Sequence, residues 1–223
     1  EDYHSAKNHR TLYDEGLSGV CNRTETAPQT RQERCRKRIR ETGSIIMIKA
    51  WEHFKTITHH KRLVMEGCFK VGLYRQGILH DMSKFSPSEF LVGARYWQGN
   101  RSPNNAEREA IGYSSSWLHH KGRNKHHYEY WIDYSCHGIE GSMAPAPMPR
   151  RYIVEMFMDR IAACKVYHKD AYTCKDPLLY YQSSQTPPPL HPKTKKMLEF
   201  LLHMLADRGE EETFRYIRTR ILK

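Results

Sequence analysis

A histidine and an aspartate stand side by side at His80-Asp81, and potential partners for them are scattered far along the chain. His59-His60 lie upstream, His119-His120 and His126-His127 downstream, and Asp159 further on. Imidazole nitrogen and carboxylate oxygen together suit Fe, Mn, Zn or Co, and no thiolate is needed. If these residues share one centre, the segments near 55–71, 78–82 and 150–167 must converge in space. Few arrangements of helices meet that demand. Neighbouring helical residues point about 100° apart, so His80 and Asp81 can meet one ion only at a helix end or through a bend.

The pattern around these residues is helical. From Ser44 onward, Ile45, Ile46, Ile48, Ala50, Trp51, Phe54 and Ile57 recur at three- and four-residue spacing, and the pattern runs on through Leu63, Val64, Cys68 and Val71. Gly72 and Gly77 flank a turn before His80. Ser86-Pro87-Ser88-Glu89 reads as a helix start in which Ser86 caps, Pro87 fits the first turn and Glu89 completes a capping box. Phe90, Leu91, Ala94 and Trp97 would be that helix's buried face. Helices are predicted over about 106–120 and 124–134, followed by a Gly/Pro loop from Gly138 to Pro149 and a helix from Arg150 to His168. Thr186 and three prolines interrupt the chain, and two helices, about 191–207 and 210–221, close it. No alternating strand is visible, so the predicted class is all-α. Residues 1–43 read as a polar, basic extension with one short helix near 30–40. Residues 44–182 read as a helical metal-binding domain, and 183–223 as a C-terminal helical hairpin.

The 223 residues are enough for one full core. No stretch approaches the roughly 18 apolar residues of a membrane span, and no secretory signal is visible. Six cysteines are scattered without a CxxC pair, which points to a reduced, cytoplasmic setting. A formal charge of +11 favours anionic partners such as nucleotides, phosphorylated metabolites or nucleic acid. The densest basic run, from Arg31 to Arg40, reads as a solvated helix or as a nucleic-acid contact.

The order His60, His80-Asp81, Asp159 resembles that of the HD superfamily of metal-dependent phosphohydrolases. Val64 follows His60 by four residues, Lys84 follows Asp81 by three, and Met158-Asp159-Arg160-Ile161-Ala162 resembles the family's late Asp-Arg helix. His120 followed by Arg123-Asn124-Lys125-His126-His127-Tyr128-Glu129 resembles the binuclear branch that includes cyclic-dinucleotide phosphodiesterases, although the Gly-Tyr-Pro element of those enzymes is absent. The segments from His80 to Phe90 and from Asn124 to Trp131, with Met148-Pro149 and Glu155-Met156, are similar to an uncharacterised bacterial HD-like family of unknown function. The resemblance covers roughly residues 55–165. It implies an HD-like helical bundle.

On that resemblance the expected metal ligands are His60, His80, Asp81, His120, His126, His127 and Asp159. One or two divalent ions would be held. Asp81 could bridge two, with His60 and Asp159 completing one and His120, His126 and His127 the other; whether His126, His127 or both ligate stays open. Activated water would attack phosphorus. Lys84 and Arg123 are candidates for neutralising phosphoryl charge, with Asp81 as the central catalytic carboxylate. Glu155 shares a helix face with Asp159 and could support it. Glu89 reads as a cap, Glu129 as a relay or a solvated charge, and His59 and His119 as surface neighbours. Trp117, Tyr128 and Trp131 read as core or pocket wall. The expected activity is hydrolysis of a nucleotide or other small phosphate ester. Two alternatives stand beside it: a di-iron enzyme that activates oxygen, and a non-catalytic module that binds nucleic acid.

Overall fold

The computed structural model of the chain describes residues 31–135, 142–184 and 188–223. The extension before residue 31, Cys136 and its neighbours in the Gly138 loop, and most of the Thr186 break lie outside the described residues. So do the side chains of 32–37 and 39–42, which include most of the basic run and Cys35. The site lies wholly in the unit formed by residues 40–223.

The described residues form an all-α fold with one small hairpin. In order they are α1 (Arg31–Lys70), α2 (Tyr74–Leu79), a 3-10 turn (Met82–Phe85), α3 (Pro87–Tyr96), α4 (Pro103–Ile111), α5 (Ser115–Lys121), β1 (Ile132–Tyr134), β2 (Met143–Pro145), α6 (Arg150–His168), α7 (Asp176–Gln182) and α8 (Pro192–Tyr216). No helix among them is long and apolar enough to cross a membrane.

The core joins α1, α6 and α8. Val64, Cys68 and Val71 from α1 and its end meet Ile153, Val154, Phe157 and Ile161 of α6 and Leu198, Leu201, Leu202 and Leu205 of α8. Each set recurs at three- or four-residue spacing, which puts one stripe of each helix inward. That stripe fixes the rotation of α1 and α6 and so the direction in which their polar residues point.

Several expectations are corrected. The predicted helix near 30–40 and the pattern from Ser44 are a single helix, α1. Its early apolar residues are not buried: Ile45, Ile46, Ile48 and Trp51 are more than half exposed. Burial needs a facing element, and among the described side chains of α1 the buried stripe begins at His53 and Ile57. Leu91 is likewise exposed, because the inward face of α3 carries Glu89, Gly93 and Ala94. Gly93 has a packing reason: a Cβ there would clash with the His53 ring.

The helix expected over 106–120 is two helices. Gly112 adopts a left-handed φ of 86° and ends α4. Ser114 then caps α5, its Oγ accepting from Trp117 N at 3.1 Å. In place of a helix over 124–134 there is a turn, a 3-10 segment at Tyr128–Trp131 and β1, which pairs antiparallel with β2 through Ile132–Pro145 and Tyr134–Met143. A strand of three residues is too short for alternation to reveal. At the C-terminus the two expected helices are present: Gly209, non-helical with φ 76° and ψ −179°, separates them, and the second continues as a π-helical turn at Ile217–Ile221.

The α4–α5 corner is held by Glu107, which is 2% exposed. Its Oε2 accepts from Ser114 Oγ at 2.6 Å and Ser116 Oγ at 3.0 Å, and its Oε1 from Ser115 N at 3.0 Å. Burial opposes the charge, but these serine donors outweigh it and hold the carboxyl below the usual glutamate range. Glu107→Gln is expected to cost about 1–3 kcal/mol at neutral pH, because it breaks a buried, charge-assisted network. A carboxyl depressed on folding stabilises above its unfolded pKa and loses that contribution as pH falls through the folded one. Thermal melts of wild type and variant should therefore converge on acidification; a gap that persists in acid would refute the assignment.

Candidate metal centre

His80 and Asp81 sit where α2 ends. Leu79 is the last helical residue, His80 turns extended with φ −51° and ψ 127°, and Asp81 is left-handed with φ 53° and ψ 26°. A non-glycine residue in that region costs about 1–2 kcal/mol, and such strain gathers at functional positions. The reversal lets both side chains point to one place. Lys61 of α1 secures it, its Nζ donating to the carbonyls of Ile78 at 2.6 Å and His80 at 2.8 Å. The neighbouring residue on α1, His60, enters the site.

The side chains gather around Asp81, which is 1% exposed. On one side, Asp81 Oδ2 lies 3.3 Å from His80 Nε2 and 3.9 Å from His60 Nε2. Asp159 of α6 closes this group, with Oδ1 2.9 Å from His60 Nε2 and 3.6 Å from His80 Nε2. On the other side, Asp81 Oδ1 lies 3.3 Å from both His120 Nε2 and His126 Nε2. His127 joins that group, its Nε2 2.9 Å from His120 Nε2. His60, His80, Asp81 and Asp159 could thus hold one ion, and Asp81, His120, His126 and His127 another.

Buried carboxylates back the histidines. Glu155 of α6 meets both His80 Nδ1 and His126 Nδ1, at 3.0 and 3.2 Å. Glu89 of α3 meets His120 Nδ1 at 2.8 Å and His119 Nδ1 at 2.6 Å. Asn124 donates to the His120 carbonyl at 2.8 Å and to Ser83 Oγ at 2.8 Å, tying α5 to the turn after Asp81. Trp117 packs edge-on against His127, ring centroids 4.7 Å apart.

Burial works against ionisation of Asp81, but His80, Lys84 and His120 overcome it and hold the carboxyl well below its usual range. Asp159 is also well below it: burial is outweighed by His60 and His80. Burial, with the neighbouring His126 and His120, pushes His127 well down, so it is neutral and can offer a lone pair. Asp81 Oδ1, His80 Nε2 and His126 Nε2 are buried without a hydrogen-bond partner. Leaving such atoms unpaired costs about 1–3 kcal/mol each. Donors sharing an ion at about 2.1 Å lie about 3.0–3.4 Å apart in octahedral or tetrahedral geometry. The separations of 3.3 Å about Asp81 match that spacing. The donor set could therefore hold a metal ion.

A family model described as a family of unknown function (DUF5662) matches residues 49–204, more than half of the chain. The chain belongs to that family. The DUF5662 region contains every residue of the centre, from His60 to Asp159, together with Glu89 and Glu155. No curated protein and no solved structure matches the chain.

Within the DUF5662 region the structure brings together all seven expected ligands. Lys84 is also there, its Nζ 2.6 Å from Asp81 Oδ2. Arg123 points elsewhere: its guanidinium donates to the His119 carbonyl at 3.2 Å, and no described contact joins it to the cluster. His59 is exposed. His119 is more than a surface neighbour, since it binds Glu89. Glu89 itself is corrected from cap to buried hydrogen-bond acceptor, and Ser86 makes no side-chain cap. Lys61, Ser83 and Asn124 were given no role from the sequence; Lys61 stands beside His60, and Ser83 and Asn124 lie in the family-like segments.

Proposed function

We propose that the chain is a metal-dependent phosphohydrolase acting on a nucleotide or another small phosphate ester, and that Asp81 and the imidazoles about it would hold two divalent ions. The observation that carries this reading is a buried carboxylate each of whose oxygens faces its own set of imidazoles, with buried donor atoms left unpaired. When bound, such ions supply water acidified to near neutral pH and polarise a phosphoryl oxygen. His60, His80 and Asp159 would hold one ion, and His120, His126 and His127 the other. Lys84, whose Nζ lies 2.6 Å from Asp81 Oδ2, would neutralise phosphoryl charge. The net charge of +11 favours an anionic substrate, and the HD-like order of ligands in the sequence supports the same chemistry. Free thiols at Cys68, Cys164 and Cys174 support a reduced, cytoplasmic setting.

The test is elemental analysis of protein purified without chelator, with phosphate release measured on a panel of nucleotides and small monoesters. Bound Mn, Fe, Zn or Co and hydrolysis are expected. Metal-free protein that hydrolyses nothing under any of these ions would sink the reading. One observation favours a second: five of the seven donors are imidazoles, a set that also suits a di-iron enzyme activating oxygen. Iron content, an absorption band in the oxidised protein and no phosphate release would select it.

Metal affinity should depend on pH with a definite sign. Burial favours neutral His80, but Asp81, Asp159 and Glu155 overcome it and raise its pKa well above the ordinary value. Burial is likewise outweighed at His120 by Asp81 and Glu89. An entering ion must displace those protons. Affinity should therefore rise with pH through the raised range, by up to about tenfold per pH unit for each proton displaced. Calorimetric titrations in buffers of different ionisation enthalpy count the protons; none released would exclude His80 and His120 as ligands.

A further inference from the structure

Glu155 stands in a position that no single ligand explains. It lies one turn before Asp159 on α6, on the same helix face, and is 5% exposed. Burying a carboxylate is costly unless its charge is used. Here one oxygen, Oε1, faces two rings: it is hydrogen-bonded with His80 Nδ1 at 3.0 Å and lies 3.2 Å from His126 Nδ1. Those rings pack with centroids 4.4 Å apart. A proton kept on each Nδ1 by that oxygen would leave Nε2 of the ring to an entering ion. His80 Nε2 then faces Asp81 Oδ2, and His126 Nε2 faces Asp81 Oδ1, each at 3.3 Å.

We propose that Glu155 is a positioning residue shared by the two halves of the centre, setting the tautomer and aim of one imidazole in each. The inference rests on the two-ion reading above. A carboxylate behind a ligating histidine orients the ring and raises its basicity. Ordinarily each histidine has its own such partner, as His120 has Glu89. Glu155 serves two histidines that belong to different ions, so its loss must be felt on both sides of Asp81. Glu89 reaches only the side of Asp81 Oδ1. The placement of Glu155 suits this role, because α6 also carries Ile153, Val154 and Phe157 into the core. A rigid helix holds its oxygen where a loop would let it drift.

Glu155→Gln and Glu89→Gln, both close in shape to the native residue, separate this role from mere stability. The full chain is titrated with Co2+, whose visible spectrum reports each coordination sphere, and stoichiometry is checked by elemental analysis after dialysis. Wild type is expected to fill in two steps. Glu155→Gln should weaken both steps, each by about 10–100-fold, and Glu89→Gln only one. A loss of stability alone would lower the melting temperature of the metal-free protein without producing that pattern. Should Glu155→Gln fail to fold, Glu155→Asp keeps the charge and withdraws the oxygen by one methylene; it too should weaken both steps. A variant of Glu155 that weakens one step or neither, in a protein whose wild type fills two, overturns the shared role alone. A wild type that takes up no second ion overturns the two-ion reading and this inference with it.

Discussion

Asp81→Ala is expected to lose bound metal and with it all turnover. Its two oxygens face the two donor groups, so one truncation would leave both proposed ions under-coordinated. Loss of a residue that only supports a ligand costs about 10–100-fold in affinity, and removal of the bridging ligand should exceed the upper figure for each ion. The metal-free protein should suffer as well. Asp81 is the buried counter-charge of Lys84, at 2.6 Å, and lies between His80 and His120. Removing it strands positive charge in the interior, at a cost on the order of 3 kcal/mol. Alanine also tolerates the left-handed backbone of this position poorly. Asp81→Asn controls for that: asparagine accepts such a backbone and keeps the shape but lacks the charge. Both variants should be metal-poor and inactive in the phosphate-release assay. Full metal content and turnover in either would show that the carboxylate is not a ligand.

How much of this could be read from the sequence depended on the range of the interaction. The pair His80-Asp81 was legible because the residue types announce the chemistry and because adjacent ligands require a helix end, which the left-handed Asp81 provides. Asp159 and Glu155 were legible together, since a spacing of four puts them on one helix face. Glu89 was not. Ser86-Pro87-Ser88-Glu89 satisfies every local rule for a capping box, and nothing local shows that Glu89 faces His119 and His120 across a helix packing. The break at Gly112 was hidden for a related reason: the apolar rhythm continues on both sides of it, and rhythm carries no information about φ. On α1, Ile45, Ile48 and Trp51 follow a core-like period yet stay exposed. Periodicity says which residues share a face, and only a second element decides whether that face is covered.

Lys84→Ala is expected to separate metal binding from turnover. Lys84 lies on the 3-10 turn that follows Asp81, and its ammonium, partly exposed, touches Asp81 Oδ2 at 2.6 Å. A protonated amine cannot ligate, and a cation at this carboxylate competes with a metal ion. The variant should therefore keep its metal, at the wild-type affinity or above it. Turnover should nevertheless fall on the order of 100-fold, the loss that follows removal of one donor to a developing negative charge. Elemental analysis and phosphate release on the same sample read the two quantities side by side. Wild-type turnover would mean that Lys84 serves only as the counter-charge of Asp81. Metal and turnover lost together would make it a structural support instead. The Lys84 amide donates to the Asp81 carbonyl at 3.0 Å, so a truncated side chain could loosen the turn that aims His80 and Asp81. The direction of the metal affinity decides between these roles, because a charge that competes with the ion and a strut that holds its ligands change it in opposite senses.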